Sequence, residues 1–284
     1  MEIKPIDVKN LREKTGAGMG DCKKALIEAE GNIEQAVKIL KEKGLAAAAK
    51  RSTRATKEGK IFTKIQGNKA VILELNCETD FVSRNEKFIE LGDKLAGEII
   101  ATGATTVTEG LSTLVTEAIG IIKENMTLAR FKVLDIADNE YVTAYVHGVG
   151  NIGVLVKFKG DSKALFDNEA VKTFAFDCAL HVAAFAPVAL SPDKISADYI
   201  KEQTEIFQAQ MDQDEKVASK PDNVKAGILK GKLNKHFAEI CFLDQAFVKD
   251  DKKKVSQVLA ETAKAAGGKL EIAEFVYFKL GENA

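Results

Sequence analysis

The order strand, tight turn, strand, helix occurs twice along this chain, and that repetition limits the fold more than any single motif. Ile61-Phe62-Thr63-Lys64-Ile65 and Val71-Ile72-Leu73-Glu74-Leu75 flank Gln66-Gly67-Asn68-Lys69, which is a hairpin signal. A helix follows on which Phe88, Leu91, Leu95 and Ile99 recur at helical spacing. Further on, Tyr141-Val142-Thr143-Ala144-Tyr145-Val146, a turn at His147-Gly148-Val149-Gly150-Asn151, and Ile152-Gly153-Val154-Leu155-Val156 lead to a helix after Asn168-Glu169. Between the two, Leu114, Val115, Ala118, Ile119 and Ile122 lie on a helix, and Phe131-Lys132-Val133-Leu134 is a candidate third strand for the first unit. The expectation is an α+β fold whose core is two related subdomains of antiparallel sheet plus helix, at residues 61–140 and at 141–186 with 230–284.

The flanks of this core read as helix. In residues 1–50, Asp7 can cap a helix bearing Val8 and Leu11, ended by Gly16-Ala17-Gly18-Met19-Gly20. Asp21 can cap a second with Cys22, Ala25, Leu26 and Ala29, and Asn32 with Gln35 a third with Ile33, Ala36, Val37 and Leu40, ended by Gly44. Such a three-helix unit is similar to ubiquitin-associated domains. Residues 51–60 form a basic linker containing Arg51, Arg54, Lys57 and Lys60, without interleaved aromatics on which bases could stack. After Pro187 the apolar pattern becomes sparse: Tyr199, Ile200, Phe207 and Met211 mark one arm, and Val224, Ile228 and Leu233 a return arm beyond Pro221. That predicts an antiparallel helical hairpin over 187–229. Its narrow stripes are satisfied by the two arms alone or also by a second copy of the protein, as a homodimer.

Composition narrows the function classes. Lys+Arg 41 against Asp+Glu 42 gives a net charge of −1, so the whole molecule has no electrostatic claim on nucleic acid or a membrane surface. Glu2, Lys4 and Asp7 interrupt the place of a signal peptide, and no apolar run approaches the ~20 residues that span a bilayer. A cytoplasmic location is expected. Four scattered cysteines without a Cys-x-x-Cys pair and three distant histidines argue against zinc and a disulfide framework. There is no nucleophile elbow and no phosphate loop, and Gly148, Gly150 and Gly153 fall in a hairpin turn rather than at a helix start. Neither an enzyme nor a cofactor is expected.

The chemistry-bearing stretch is Asn76-Cys77-Glu78-Thr79-Asp80-Phe81-Val82, at a corner between strand and helix. On its residues alone, Thr79 or Asp80 caps the helix and Phe81 packs as a staple beneath it. The stretch also resembles the signature of the elongation factor Ts family, the nucleotide exchange factors of elongation factor Tu. Leu11-Arg12-Glu13-Lys14-Thr15-Gly16-Ala17-Gly18-Met19, His147-Gly148 with Ile152-Gly153-Val154-Leu155, His181-Val182-Ala183-Ala184 through Pro187, and the terminal strand are similar to that family too. Gly20 departs from it, standing where a second methionine is common.

That resemblance implies that Phe81 wedges into the partner with Asp80 beside it, Thr79 and Val82 completing the motif, and that together they disturb its magnesium site. It further implies that His147 acts near the partner's phosphate loop, that Arg12 and Met19 grip another helix of the same domain, and that no nucleotide is bound directly. An alternative reading is a ubiquitin-associated-like protein that binds the ribosome or RNA through the basic linker.

Overall fold

Three short helices open the chain in the computed structural model, which describes residues 3–282. Glu2, part of the charge argument above, lies outside them. Helix α1 (Pro5–Thr15) begins with Pro5, whose fixed φ suits a first turn; Lys4 is the cap, and Asp7 lies inside that turn instead. Helix α2 (Met19–Glu28) begins before Asp21 for a similar reason: Gly18, in extended conformation, already occupies the cap position. Helix α3 (Ile33–Ala49) is capped by Asn32, which accepts from the Gln35 N–H at 3.0 Å. It continues through Gly44, carried by the alanines that follow. Val8, Leu11, Cys22, Ala25, Leu26, Ala36 and Ile39 close a small core among the three.

Strands β1 (Glu58–Gln66) and β2 (Lys69–Cys77), helices α4 (Asp80–Ser83), α5 (Glu86–Thr102) and α6 (Glu109–Ile122), and strand β3 (Met126–Asp135) follow. The antiparallel sheet has the order β1-β2-β3, with Phe62 opposite Leu73 and Glu74 opposite Arg130. The near-continuous apolar run of β2 is explained by burial on both faces. On one face Val71, Leu73, Leu75 and Cys77 meet Phe88, Leu91, Leu95 and Ile99 of α5 and Leu111, Val115 and Ile119 of α6. Gly92 permits the close approach of α5, since a Cβ there would fall 2.3 Å from the Phe62 ring. On the other face Glu74 is fully buried, bound by Arg130 Nε at 2.8 Å and by the Gly281 N–H at 2.9 Å. The Arg130 guanidinium also lies 4.2 Å over the Phe278 ring and donates to the Lys279 carbonyl.

Helix α3 does not end at Gly44 because it docks on α6 there. A Cβ on Gly120 would lie 3.0 Å from Gly44 Cα, so the two helices meet backbone to backbone, and Ala48 belongs to the core of the first sheet. Lys41 pairs with Glu117 at 2.7 Å, and Lys87 Nζ donates to the Gly16 carbonyl at 2.8 Å. The N-terminal helices are thus fixed to α5 and α6.

The chain forms two compact units, the first from residues 3–135, 146–153 and 278–282 and the second from 136–145 and 154–277. The later elements are β4 (Glu140–His147), β5 (Ile152–Gly160), α7 (Glu169–Phe185), α8 (Ala197–Gln213), α9 (Glu215–Ala218), α10 (Asp222–Ile240), β6 (Ala246–Phe247), β7 (Asp250–Lys254), α11 (Val255–Ala266) and β8 (Leu270–Lys279). A second three-stranded sheet has the order β4-β5-β8. Mixed helix and antiparallel sheet with an N-terminal helical region make this an α+β protein, as the patterning predicts. Helices α8 and α10 meet through Tyr199, whose hydroxyl is 2.9 Å from His236 Nε2, and of the residues on these two helices Met211 alone is buried. The return helix runs on to Ile240, past Leu229, and the β6–β7 hairpin is an element that the sequence reading did not foresee.

Behind that hairpin His181 of α7 is fully buried against Phe185, Phe242 and Phe247. The Val248 N–H donates to Nδ1 at 3.2 Å, so the neutral ring carries its proton on Nε2 and donates to Gln245 Oε1 at 2.9 Å. Burial lowers its pKa, and the Gln245 contact opposes this only in part. A lowered pKa means that the unfolded chain takes up the proton first as pH falls. The stability His181 supplies is therefore complete above about pH 6.5 and declines below it. Thermal unfolding followed from about pH 7.5 to about pH 5 is expected to show this loss, and His181→Gln to show a flatter profile. Equal slopes for the two proteins would remove His181 as the cause.

Candidate functional site: an exposed aromatic on a braced corner

Strand β2 ends at Cys77, and within three residues the chain turns into the single helical turn α4. Thr79 makes that turn possible: its backbone is extended, and its hydroxyl oxygen accepts from the Val82 N–H at 3.4 Å. Ser83 Oγ donates back to the Asp80 carbonyl at 2.8 Å, and Asn85 then caps α5 through the Lys87 N–H at 2.9 Å. Two capped turns in succession leave α4 projecting from the sheet end.

Phe81 stands on the outer side of α4 with 82% of its surface exposed, so it is not a staple beneath the helix. Solvating an aromatic of this size forgoes about 1.5–3 kcal/mol of burial, although large buried cores lie on the same unit. Asp80 is held beside it by Arg84 at 3.1 Å, an exposed pair that orients the carboxylate more than it stabilises the fold. Val82 turns inward to the main core.

Polar groups brace the corner from behind. Glu124 accepts from both the Thr79 N–H, at 3.1 Å, and the Thr79 hydroxyl, at 2.8 Å. Glu78 accepts from the Asn125 N–H at 2.6 Å and pairs with Arg54 at 3.3 Å, while Asn125 Nδ2 donates to the Arg54 carbonyl at 2.7 Å. The Cys77 thiol donates to the Thr79 carbonyl, and burial, with Glu124 nearby, pushes its pKa up to about 12. It is a structural thiol, not a nucleophile. The sequence reading places Glu78 in the motif and Arg54 in the linker without this bracing role, and misses Glu124, Asn125 and Arg84. Only Arg84, four residues from Asp80, carried a local signal; Glu124 lies 45 residues from Thr79.

The other expected site residues lie elsewhere on the first unit. His147 is exposed at the end of β4, where Gly148 and Gly150 take positive φ; the Gly150 carbonyl accepts from the Ile61 N–H at 2.8 Å and seats this turn on β1. A Cβ on Gly153 would fall 2.3 Å from Ile61 Cγ2, so glycine is what lets the turn lie close. Arg12 is exposed on α1, and Met19, 46% exposed, opens α2. Nothing lies within 4 Å of a Cβ placed on Gly20, so the α2 start presents one methionine and open space. Among the described residues no group of three His, Cys, Asp or Glu could hold a metal ion, and no helix is long and apolar enough to cross a membrane.

The family model described as Elongation factor TS matches residues 78–282, beginning at the braced corner. The chain belongs to the elongation factor Ts family. Full-length relatives extend the match over the N-terminal helices. An elongation factor Ts of Treponema denticola is 47% identical over 281 residues, 99% of each chain. Those of Borrelia recurrentis and Borreliella burgdorferi are each 44% identical, over 282 and 280 residues, covering 99% and 98% of this chain and 100% and 99% of theirs.

Proposed function

We propose that this elongation factor Ts family member binds elongation factor Tu in its GDP form and speeds nucleotide exchange without catalysing a chemical reaction or binding nucleotide itself. The observation that carries the reading is Phe81, a solvated aromatic on a turn too well braced to fold it away. In this mechanism Phe81 inserts between helices of the partner's nucleotide domain, Asp80 enters with it, and Thr79 and Val82 hold the turn. Magnesium demands near-octahedral oxygen geometry, so a small displacement of its ligands weakens the ion and the diphosphate it bridges together. His147 acts on the phosphate-loop side, while Arg12 and Met19 grip a further helix of the same domain. The hairpin of α8 and α10 takes no part, and the work is done in the cytoplasm.

Linkage fixes the thermodynamics. The protein must lower nucleotide affinity by the same factor by which nucleotide lowers affinity for the protein. It therefore accelerates exchange in both directions and leaves the choice of product to nucleotide concentrations. The expected result is a stable complex with elongation factor Tu when nucleotide is removed, dissociated by added GDP with magnesium. Binding unaffected by GDP would contradict exchange, and a salt-dependent affinity for RNA in its place would support the RNA-binding alternative.

A further inference from the structure

We infer that Glu124 is a positioning residue for exchange, setting the attitude of Phe81 through Thr79. Three successive residues after α6 reach three different parts of the first unit. Lys123 pairs with Asp21 of α2 at 3.2 Å, Glu124 takes both donors of Thr79, and the Asn125 backbone donates to Glu78 while its side chain grips the Arg54 carbonyl. The left-handed backbone of Lys123, φ 71°, ends α6 and turns this triplet toward the corner.

These arms differ in strength. Lys123 and Asp21 are both nearly half exposed, and a solvated pair of that kind contributes little. Glu124 is different, because one carboxylate satisfies the N–H and the hydroxyl of the same residue, and charge-assisted bonds of this kind are about twice as strong as neutral ones. With its proton donated to Glu124, the Thr79 hydroxyl turns a lone pair to the Val82 N–H, so one contact fixes the cap of α4 as well as its position. Helix α4 is one turn long, with Val82 seated on the core and Asp80 tied to Ser83 and Arg84, and Glu124 is the side chain that fixes its cap residue from outside the turn. Without Glu124 the turn remains attached through Val82 but its direction is less tightly set, and Phe81 meets the partner from a wider spread of angles. Orientation loss of that sort lowers the rate of the committed step more than it lowers encounter.

The kinetic arm of this inference rests on the wedge reading, and the structural arm does not. Glu124→Ala is expected to reduce maximal GDP release at saturating protein roughly tenfold, with the half-saturating concentration changed by less than about twofold. Glu124→Gln, whose amide oxygen still accepts one of the two bonds, is expected to recover part of the loss, and Lys123→Ala to stay within about twofold of wild type. In the free full-length chain, hydrogen exchange at the Val82 and Ser83 amides is expected to rise at least about tenfold in Glu124→Ala while the β2 amides keep their protection. Wild-type rates together with unchanged Val82 and Ser83 exchange would overturn the inference. So would a Glu124→Gln variant as impaired as Glu124→Ala with β2 protection also lost, since that pattern marks a general fold defect. If wild type fails to stimulate release, or Phe81→Ala matches wild type, the wedge reading fails, and the amide exchange still decides whether Glu124 holds the turn.

Discussion

Phe81→Ala is expected to leave thermal stability nearly unchanged and to reduce stimulated GDP release from elongation factor Tu by at least about 30-fold. The two halves follow from one number, the 82% exposure of the ring. A buried phenylalanine cut to alanine costs about 3–5 kcal/mol through lost burial and a cavity. An exposed one away from special contacts changes stability by about 0.5 kcal/mol or less, a shift of about 1–2 °C. Central aromatic anchors at interfaces are worth about 2 kcal/mol or more, which is the factor of about 30 placed on the rate. Asp80→Ala belongs in the same series with a smaller effect, because it removes a charge that Arg84 already shares and far less volume than the phenyl ring. A melting temperature lowered by many degrees would mean that Phe81 supports its own fold.

Arg130→Ala is the corresponding large effect on stability. Glu74 has no exposed surface, and among the described residues Arg130 Nε supplies its one cationic partner, leaving the Gly281 N–H when the guanidinium is removed. Breaking a buried pair from one side costs about 3–5 kcal/mol because a charge is left without compensation. At about 2–4 °C per kcal/mol for a unit of this size, melting should fall by roughly 10 °C. Combining it with Glu74→Gln, which removes the charge and keeps an acceptor for Gly281, is expected to restore more than half of the loss. A double variant no better than Arg130→Ala would show that packing on Phe278, not the buried charge, is what Arg130 supplies.

What could be read in the sequence follows from the range of the interactions involved. The strand pattern of β1 and β2, the amphipathic spacing of α5 and the Asn32 cap are local, and the structure has them where periodicity and capping rules put them. Helix starts shifted where Pro5 and Gly18 outweighed Asp7 and Asp21 as boundary signals. Gly44 was misleading because its missing side chain serves the crossing with Gly120 rather than a helix end, a distinction that only tertiary contact makes. The corner was legible as a motif, but its residues left staple and wedge both open, since exposure depends on what surrounds Phe81. Glu124 and Asn125 were invisible for the same reason: their partners Thr79 and Glu78 lie on the far side of three helices in sequence.

The proposed action of the corner on the partner's magnesium is tested most directly by GDP release from elongation factor Tu, stimulated by wild type and by Phe81→Ala, with magnesium in millimolar excess and again after chelation. With magnesium present, the ratio of the two rates should be at least about 30. After chelation the wedge has no ion left to dislodge, and the ratio should fall toward one. A ratio that is the same in both conditions would contradict the proposal that Phe81 acts through the magnesium site.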